Sequence, residues 1–326
     1  MRATGRRETF YALVEGDLEE LTRRLQDVGR GTHPTFAAAS AHLFGSPGKL
    51  LRPTLVFLSS RFGSGSGSRM IVDLAESLEL VHTASLVHDD IVDRAEVRRN
   101  VPTVNAVWSD DIALIVGDYL FAKAYALAAV LPKPEVIAMV AQTVFALCDG
   151  ELTEVAAPSA MPTEAQYLER IELKTASLYA ACCQGAALLA DANPEHVAAL
   201  GAYGTNIGLA FQITDDVLDL VGEEDDLGKE VGRDLAEGMP TLPMIYAVER
   251  DGHGSALAAR IVAADKDPAE IRELIAAIRA SGGVQRAQER ARRSRDEALA
   301  ALERLPARPE RDALRAIAHF IVARER

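Results

Sequence analysis

Two short stretches gather carboxylates at a spacing that can do chemistry. "HDDIVD" carries Asp89, Asp90 and Asp93, and "ITDDVLD" carries Asp215, Asp216 and Asp219. In a helix Asp89 and Asp93 share one face, roughly 6 Å apart along the axis, with Asp90 about 100° round at its edge. Such an oxygen-only set suits a hard divalent cation. Mg²⁺ takes one or two carboxylates and fills its octahedron with water and phosphate oxygens. A solvated acidic face is the competing reading for one motif alone. Three features weigh against it. The neighbours are apolar ("SLV" before the first motif, "FQIT" and "VL" around the second), and carboxylates in a buried helix are costly unless cations compensate them. The spacing occurs twice. Basic residues follow each motif, Arg98 and Arg99 after the first, Lys229 and Arg233 after the second. Metal ions and cations between two carboxylate clusters would hold a diphosphate.

The elements that must position these groups read as helices almost throughout. "TFAAASAHLF", "MIVDLAESLELVHTASLVHDDIVDRA", "DDIALIVGDYLFAKAYALAAVL", "PEVIAMVAQTVFALCDGELTEV", "EAQYLERIELKTASLYAACCQGAALLA" and "EHVAALGAYGTNIGLAFQITDDVLDLV" repeat apolar residues every three or four positions. Breaks fall at residues 63–69, 131–135, 157–164 and 191–196. The polar, glycine-rich stretch 222–241 follows the second motif directly and is a candidate lid. No domain boundary is visible. The expectation is an all-α protein, one helical bundle over residues 1–326.

Bulk properties narrow the function. With 326 residues, 48% of them hydrophobic, the chain can bury a large core. A net charge of −13 argues against nucleic acid as a partner. Cys148, Cys182 and Cys183 lack metal-ligand spacing and read as core thiols in a reducing compartment. No apolar stretch follows the N-terminal arginines, and no window approaches roughly 18 unbroken apolar residues, so neither a secretory signal nor a membrane span is expected. The expected location is cytoplasmic.

In sequence order, "GKLLRP" (48–53), "HTASLVHDDIVD", "RRNVPTVN" (98–105), "VGDYLFAKA" (116–124), "KTASL" (174–178), "FQITDDVLD", "LGKEVGRDL" and "TLPMIYA" resemble the trans-isoprenyl diphosphate synthases of the polyprenyl synthetase family. The resemblance covers most of the chain. It implies a helical bundle around a central apolar cavity, with two DDxxD motifs facing each other across it. The implied reaction is Mg²⁺-dependent head-to-tail condensation of isopentenyl diphosphate with an allylic diphosphate.

Matching positions carry roles over. Asp89, Asp90 and Asp93, with Asp215, Asp216 and Asp219, form the metal motifs. Asp89 and Asp93 are implied to hold two Mg²⁺ ions, and Asp215, supported by Asp219, a third. Lys49, Arg52, His82 and Arg99 match the isopentenyl diphosphate site. Arg98, Lys174, Thr175, Gln212 and Lys229 match the allylic site, where Thr175 and Gln212 can stabilise a reacting centre. His88 reads as a packing residue. The departures are Leu50 and Met239, where the family often has a basic residue, and Asn100, where it often has glycine.

Product length follows from the residues four and five before Asp89. Short-chain members place a bulky aromatic there; Ser85 and Ala84 are small. A helix turn and an isoprene unit both span on the order of 5 Å, so each open turn admits about one more unit. The expected product has 30 carbons or more, unless Tyr119, Phe121 or Tyr125 closes the path; geranylgeranyl diphosphate is the alternative. The intact second DDxxD motif disfavours a terpene cyclase, and the retained site residues disfavour a non-catalytic partner subunit. The resemblance also implies a homodimer, leaves room for a small accessory subunit, and suggests product release by peripheral contact with a membrane.

Overall fold

In the computed structural model the first aspartate motif closes a 24-residue helix. α4 (Arg69–Val92) ends with Asp93 as its C-cap. Arg94 then adopts a left-handed conformation (φ 51°), Arg94 N–H donates to the carbonyl of Ile91, and Ala95 N–H donates to that of Asp90. This is a Schellman ending with arginine where glycine is usual. The structure describes residues 9–45, 48–65, 67–98, 100–156, 160–222, 231–249, 255–264 and 266–324.

Among these residues the fold is helical apart from a two-stranded antiparallel ribbon, Val97–Arg98 with Val101–Pro102. Asn100 turns the ribbon at φ 63°, which explains an asparagine at a position where glycine is frequent. The predicted helices are present: α2 (Pro34–Phe44), α4, α6 (Asp110–Ala129), α7 (Pro134–Val155), α8 (Glu164–Ile171), α9 (Ser177–Leu189) and α10 (Pro194–Val221). The segment expected to run unbroken from 164 to 190 instead passes through a π-turn at Glu172–Ala176. α1 (Glu15–Gln26) and α3 (Leu51–Ser60) had no clear periodic signal.

The described chain divides into two compact units, neither continuous in sequence. One takes in the chain up to Phe145, Leu178–Gly204 and Leu302–Ala316; the other holds Ala146–Ser177, Thr205–Ala301 and the chain from Ile317 on. In the first unit α4 packs along α6. Ser77 Oγ donates to the Ala124 carbonyl at 2.8 Å, and His88 lies against Gly117, where any Cβ would collide with its ring. His88 is thus a packing residue, as expected. Leu55–Leu58, Leu78, Leu80, Val81, Cys182 and Cys183 fill this interior. Burial pushes the Cys183 thiol up to about 12, so it is an inert core thiol. Cys148, also expected in the core, is exposed on the outer side of α7.

The second unit is centred on Tyr167, Ile213, Val217, Leu242, Ile245, Leu274 and Ile278. A capping box between Thr163 and Gln166 starts α8 and places Tyr167 one turn in, fully buried. Asn193 caps α10 by accepting the His196 N–H at 2.8 Å.

α6 and α7 are each long and apolar enough to cross a membrane by length and composition, with a third or less of each apolar window buried. Charged residues interrupt them, Asp118 and Lys123 in α6 and Asp149 and Glu151 in α7, so no single run is unbroken although the average is high.

Candidate active site

Both aspartate motifs stand at the carboxyl ends of long helices, α4 and α10. A helix carries partial negative charge over its last turn, so a carboxylate there, Asp89 or Asp90 in α4 and Asp219 in α10, costs about 0.3–1 kcal/mol until a cation compensates it. Acid concentrated at two such ends calls for cations.

In the first unit the middle residue differs from its neighbours. Asp90 is only 5% exposed and accepts from Arg98 Nε at 2.7 Å, whereas Asp89 is half-buried and Asp93 exposed. Arg98, matched to the allylic diphosphate, therefore also anchors the ribbon to the motif. A second group lies on α3, α4 and α9. Arg52 Nη1 donates to His82 Nε2 at 2.8 Å, and its guanidinium lies 4.7 Å from the centre of the Tyr179 ring. A guanidinium can only donate, so His82 is neutral with its hydrogen on Nδ1. Lys49 is exposed just before α3, its carbonyl accepting from the Tyr11 hydroxyl. Leu50 holds a left-handed N-cap position before α3 (φ 47°); nothing in the structure explains a leucine there. Ala84 is fully buried and Ser85 half-buried. Of the three aromatics on α6, Tyr119 stacks on Phe36 at 4.0 Å and Phe121 packs against His88, while Tyr125 is over a third exposed. Arg99 and Lys229 lie outside the described residues, as does the 223–230 part of the candidate lid.

The second unit brings together Lys174, Thr175, Gln212 and the second motif. Lys174 and Thr175 sit in the π-turn, an irregularity common at functional sites. α7 approaches closely here: a Cβ on Gly150 would lie 2.8 Å from the Lys174 nitrogen and 3.0 Å from its Cα. The Lys174 ammonium bridges Glu151 at 2.7 Å and Glu154 at 2.5 Å. Burial pulls its pKa down, but the attraction and hydrogen bonds of these carboxylates outweigh that and raise it, so Lys174 is a fixed cation. Thr175 donates to Gln212 Oε1 at 2.8 Å, Gln212 Nε2 donates to Asp216 Oδ1 at 2.8 Å, and the Tyr167 hydroxyl donates to Asp216 Oδ2 at 2.5 Å.

The three aspartates of the second motif have three kinds of partner. Asp215 pairs with Arg324, near the end of the last described helix, at 2.9 Å. Asp216 is bound by Gln212 and Tyr167. Asp219 accepts the backbone N–H groups of Arg233 at 3.2 Å and Asp234 at 3.3 Å. Met239 lies partly buried after that turn, its N–H donating to the Asp234 carbonyl. Among the described residues no three His, Cys, Asp or Glu side chains converge as a ready-made metal cage. The donor chemistry still fits Mg²⁺, which takes few protein carboxylates and completes its shell with water and phosphate oxygens. Gly150, Glu151, Glu154, Tyr167 and Arg324 went unread as site residues. The acids three apart in "GELTE", on a helix otherwise poor in charge, were the one available signal.

Paired carboxylates toward the ends of two long helices and, in the second unit, a lysine held as a cation are the groups expected of an enzyme that handles diphosphates. The polyprenyl synthetase family model matches residues 33–278, and the chain belongs to that family. It is 38% identical over 319 residues to heptaprenyl diphosphate synthase component 2 of Geobacillus stearothermophilus, covering 98% of this chain and 99% of the relative. Among solved structures it resembles a polyprenyl synthase from Caulobacter crescentus complexed with calcium and isoprenyl diphosphate (TM-score 0.92, 32% identity, 100% of both chains). It also resembles a decaprenyl diphosphate synthase from Rhodobacter capsulatus (TM-score 0.91, 31% identity, 98% of this chain and 99% of that one).

Proposed function

We propose that this chain is an all-trans polyprenyl diphosphate synthase acting as one catalytic domain, which joins isopentenyl diphosphate head-to-tail to an allylic diphosphate to give products of 30 carbons or more. The observation that carries this reading is the gathering of carboxylates in two aspartate motifs toward the negative ends of two long helices, a setting that favours bound cations. Asp89 and Asp93 would hold two Mg²⁺ ions, and Asp215 with Asp219 a third. When bound, the metal neutralises the diphosphate and makes it a leaving group. Lys174, already cationic, exchanges its carboxylates for diphosphate oxygens. Arg98 supports the allylic side. Arg52, pre-oriented by His82 and Tyr179, grips isopentenyl diphosphate together with Lys49. Small residues at Ala84 and Ser85 leave room for a growing chain.

The outward apolar residues of α6 and α7, among them Leu114, Ile115, Phe145 and Leu152, favour burial against a second copy of the chain. A cytoplasmic homodimer is the proposed form. A second reading, a catalytic subunit needing a small partner, draws support from the relative named as component 2 of a two-component enzyme. One experiment tests both: Mg²⁺-dependent incubation of the purified chain with farnesyl and isopentenyl diphosphates, resolving product lengths. A ladder to 30 carbons or beyond supports the proposal. A stop at 20 carbons refutes the open path past Ser85. No elongation, with substrate binding intact, favours the two-component reading.

A further inference from the structure

The chain Thr175–Gln212–Asp216–Tyr167, half-buried at its first two members and buried at its last two, has a direction set by chemistry. An ionised carboxylate has no hydrogen to give, so Gln212 must turn its amide NH₂ toward Asp216 and its carbonyl oxygen toward Thr175. The Thr175 hydroxyl, 2.8 Å from that oxygen, must then spend its one hydrogen on Gln212. To any other neighbour its oxygen presents only lone pairs. Asp216 can hold this polarity because its other oxygen is bound by the Tyr167 hydroxyl at 2.5 Å, and Tyr167 is itself fully buried behind the α8 capping box.

From this geometry we infer that Tyr167 and Asp216 are positioning residues that, acting through Gln212, lock the Thr175 hydroxyl with its lone pairs toward the electron-deficient carbon formed when the allylic diphosphate ionises. This rests on the proposed role of Thr175 on the allylic side. An oxygen lone pair stabilises positive charge at that carbon, and a hydroxyl hydrogen pointed there opposes it. Nothing at Tyr167 needs to touch the substrate. Its effect reaches the reacting centre through two side chains whose orientation it fixes.

The test is a double-mutant cycle read in single-turnover rates of the first condensation, with farnesyl and isopentenyl diphosphates and Mg²⁺. Tyr167→Phe is expected to slow the chemical step by roughly 10-fold. Its Mg²⁺-dependent binding of a non-reactive farnesyl thiolodiphosphate should stay within about threefold of wild type, since a roughly 10-fold change would correspond to a lost binding contact. In a Thr175→Val background the same substitution is expected to change the rate less than about twofold, because there is no hydroxyl left to orient. Thr175→Ser is expected to retain most of the rate.

Asp216→Asn serves as the second variant, including where Tyr167→Phe folds poorly. Asparagine keeps its oxygen for Tyr167, offers NH₂ to Gln212, and so reverses the chain, turning the Thr175 hydrogen outward. Its loss is expected to exceed that of Tyr167→Phe and to vanish in the Thr175→Val background. A loss that persists there assigns Asp216 to another task and overturns the inference. Equal losses from Tyr167→Phe in both backgrounds, or none in either, overturn it as well. If Thr175→Val alone leaves the rate unchanged, the proposed role of Thr175 fails first, and the inference falls with it.

Discussion

Gly150→Ala isolates the packing that places Lys174. The added Cβ would stand 2.8 Å from the Lys174 nitrogen and 3.0 Å from its Cα and Cβ. Carbon contacts are comfortable at about 3.5–4.0 Å, so α7 and the π-turn must part by roughly 0.5–1 Å. Overpacking of this kind costs about 1–3 kcal/mol. Alanine regains about 1 kcal/mol over glycine inside a helix. The net change is therefore about 0–2 kcal/mol, a Tm loss of a few degrees. The effect on chemistry is larger, because displacing a substrate-positioning group by about 1 Å costs on the order of 100-fold in rate. The assay pairs thermal unfolding with single-turnover condensation of farnesyl and isopentenyl diphosphates. The expected signature is near-normal stability with a roughly 100-fold slower reaction. A rate within about threefold of wild type, with Tm unchanged or raised, would refute the argument that this close approach sets Lys174.

Three further outcomes are expected. Ser85→Phe, at a half-buried position one turn before Asp89, shortens the product to 20 carbons or fewer with little change in Tm, while Ala84→Phe, at a fully buried one, also destabilises by about 1–3 kcal/mol; unchanged product lengths in both would place the tail elsewhere. Burial pushes Asp216 up to about 6, against the hydrogen bonds of Tyr167 and Gln212 that pull it down. A carboxyl raised on folding contributes stability below its unfolded value, and this is lost as pH rises through about 6; in metal-free protein the Tm of Asp216→Asn should gain on wild type between pH 4 and 7, and a constant difference counts against the burial argument. Arg324→Met removes the cation from Asp215; with Asp215 partly exposed the pair is worth about 1 kcal/mol, so Mn²⁺ binding followed by electron paramagnetic resonance should tighten by up to about fivefold, and unchanged affinity would show that Asp215 takes no metal.

Much of the site was legible because its chemistry is local. Asp89 to Asp93 and Asp215 to Asp219 announce themselves by one helical turn, and the helices bearing them by their apolar period. The π-turn was not legible, because "IELKTASL" has the same period on either side and the irregularity arises where α7 presses in at Gly150. Tyr167 lay hidden for a related reason. Its place in an amphipathic helix already accounts for its burial, and only the fold brings its hydroxyl to Asp216, 49 residues on. Arg324 looked like one arginine of a charged tail. The helix ending in Arg94 and the turn at Asn100 were also unreadable, because both use left-handed residues other than glycine.

The equal spacing of the two motifs conceals unequal work. Asp90 and Asp216, the middle residues, are each only 5% exposed, and each is held by protein donors: Arg98 in one case, Gln212 and Tyr167 in the other. The outer residues are more open and share the face that helical spacing gives them. A residue one position along from the first aspartate is turned about 100° from it, toward the interior of its own unit. A second carboxylate there is an acceptor that gathers the donors around it. Asp219 extends the same logic, since both its oxygens receive backbone N–H groups from the turn at 233–234 and so moor the segment that follows the second motif. What the two DDxxD motifs share, on this structure, is a pair of more open carboxylates on one face and a buried one that fixes the side chains beside it.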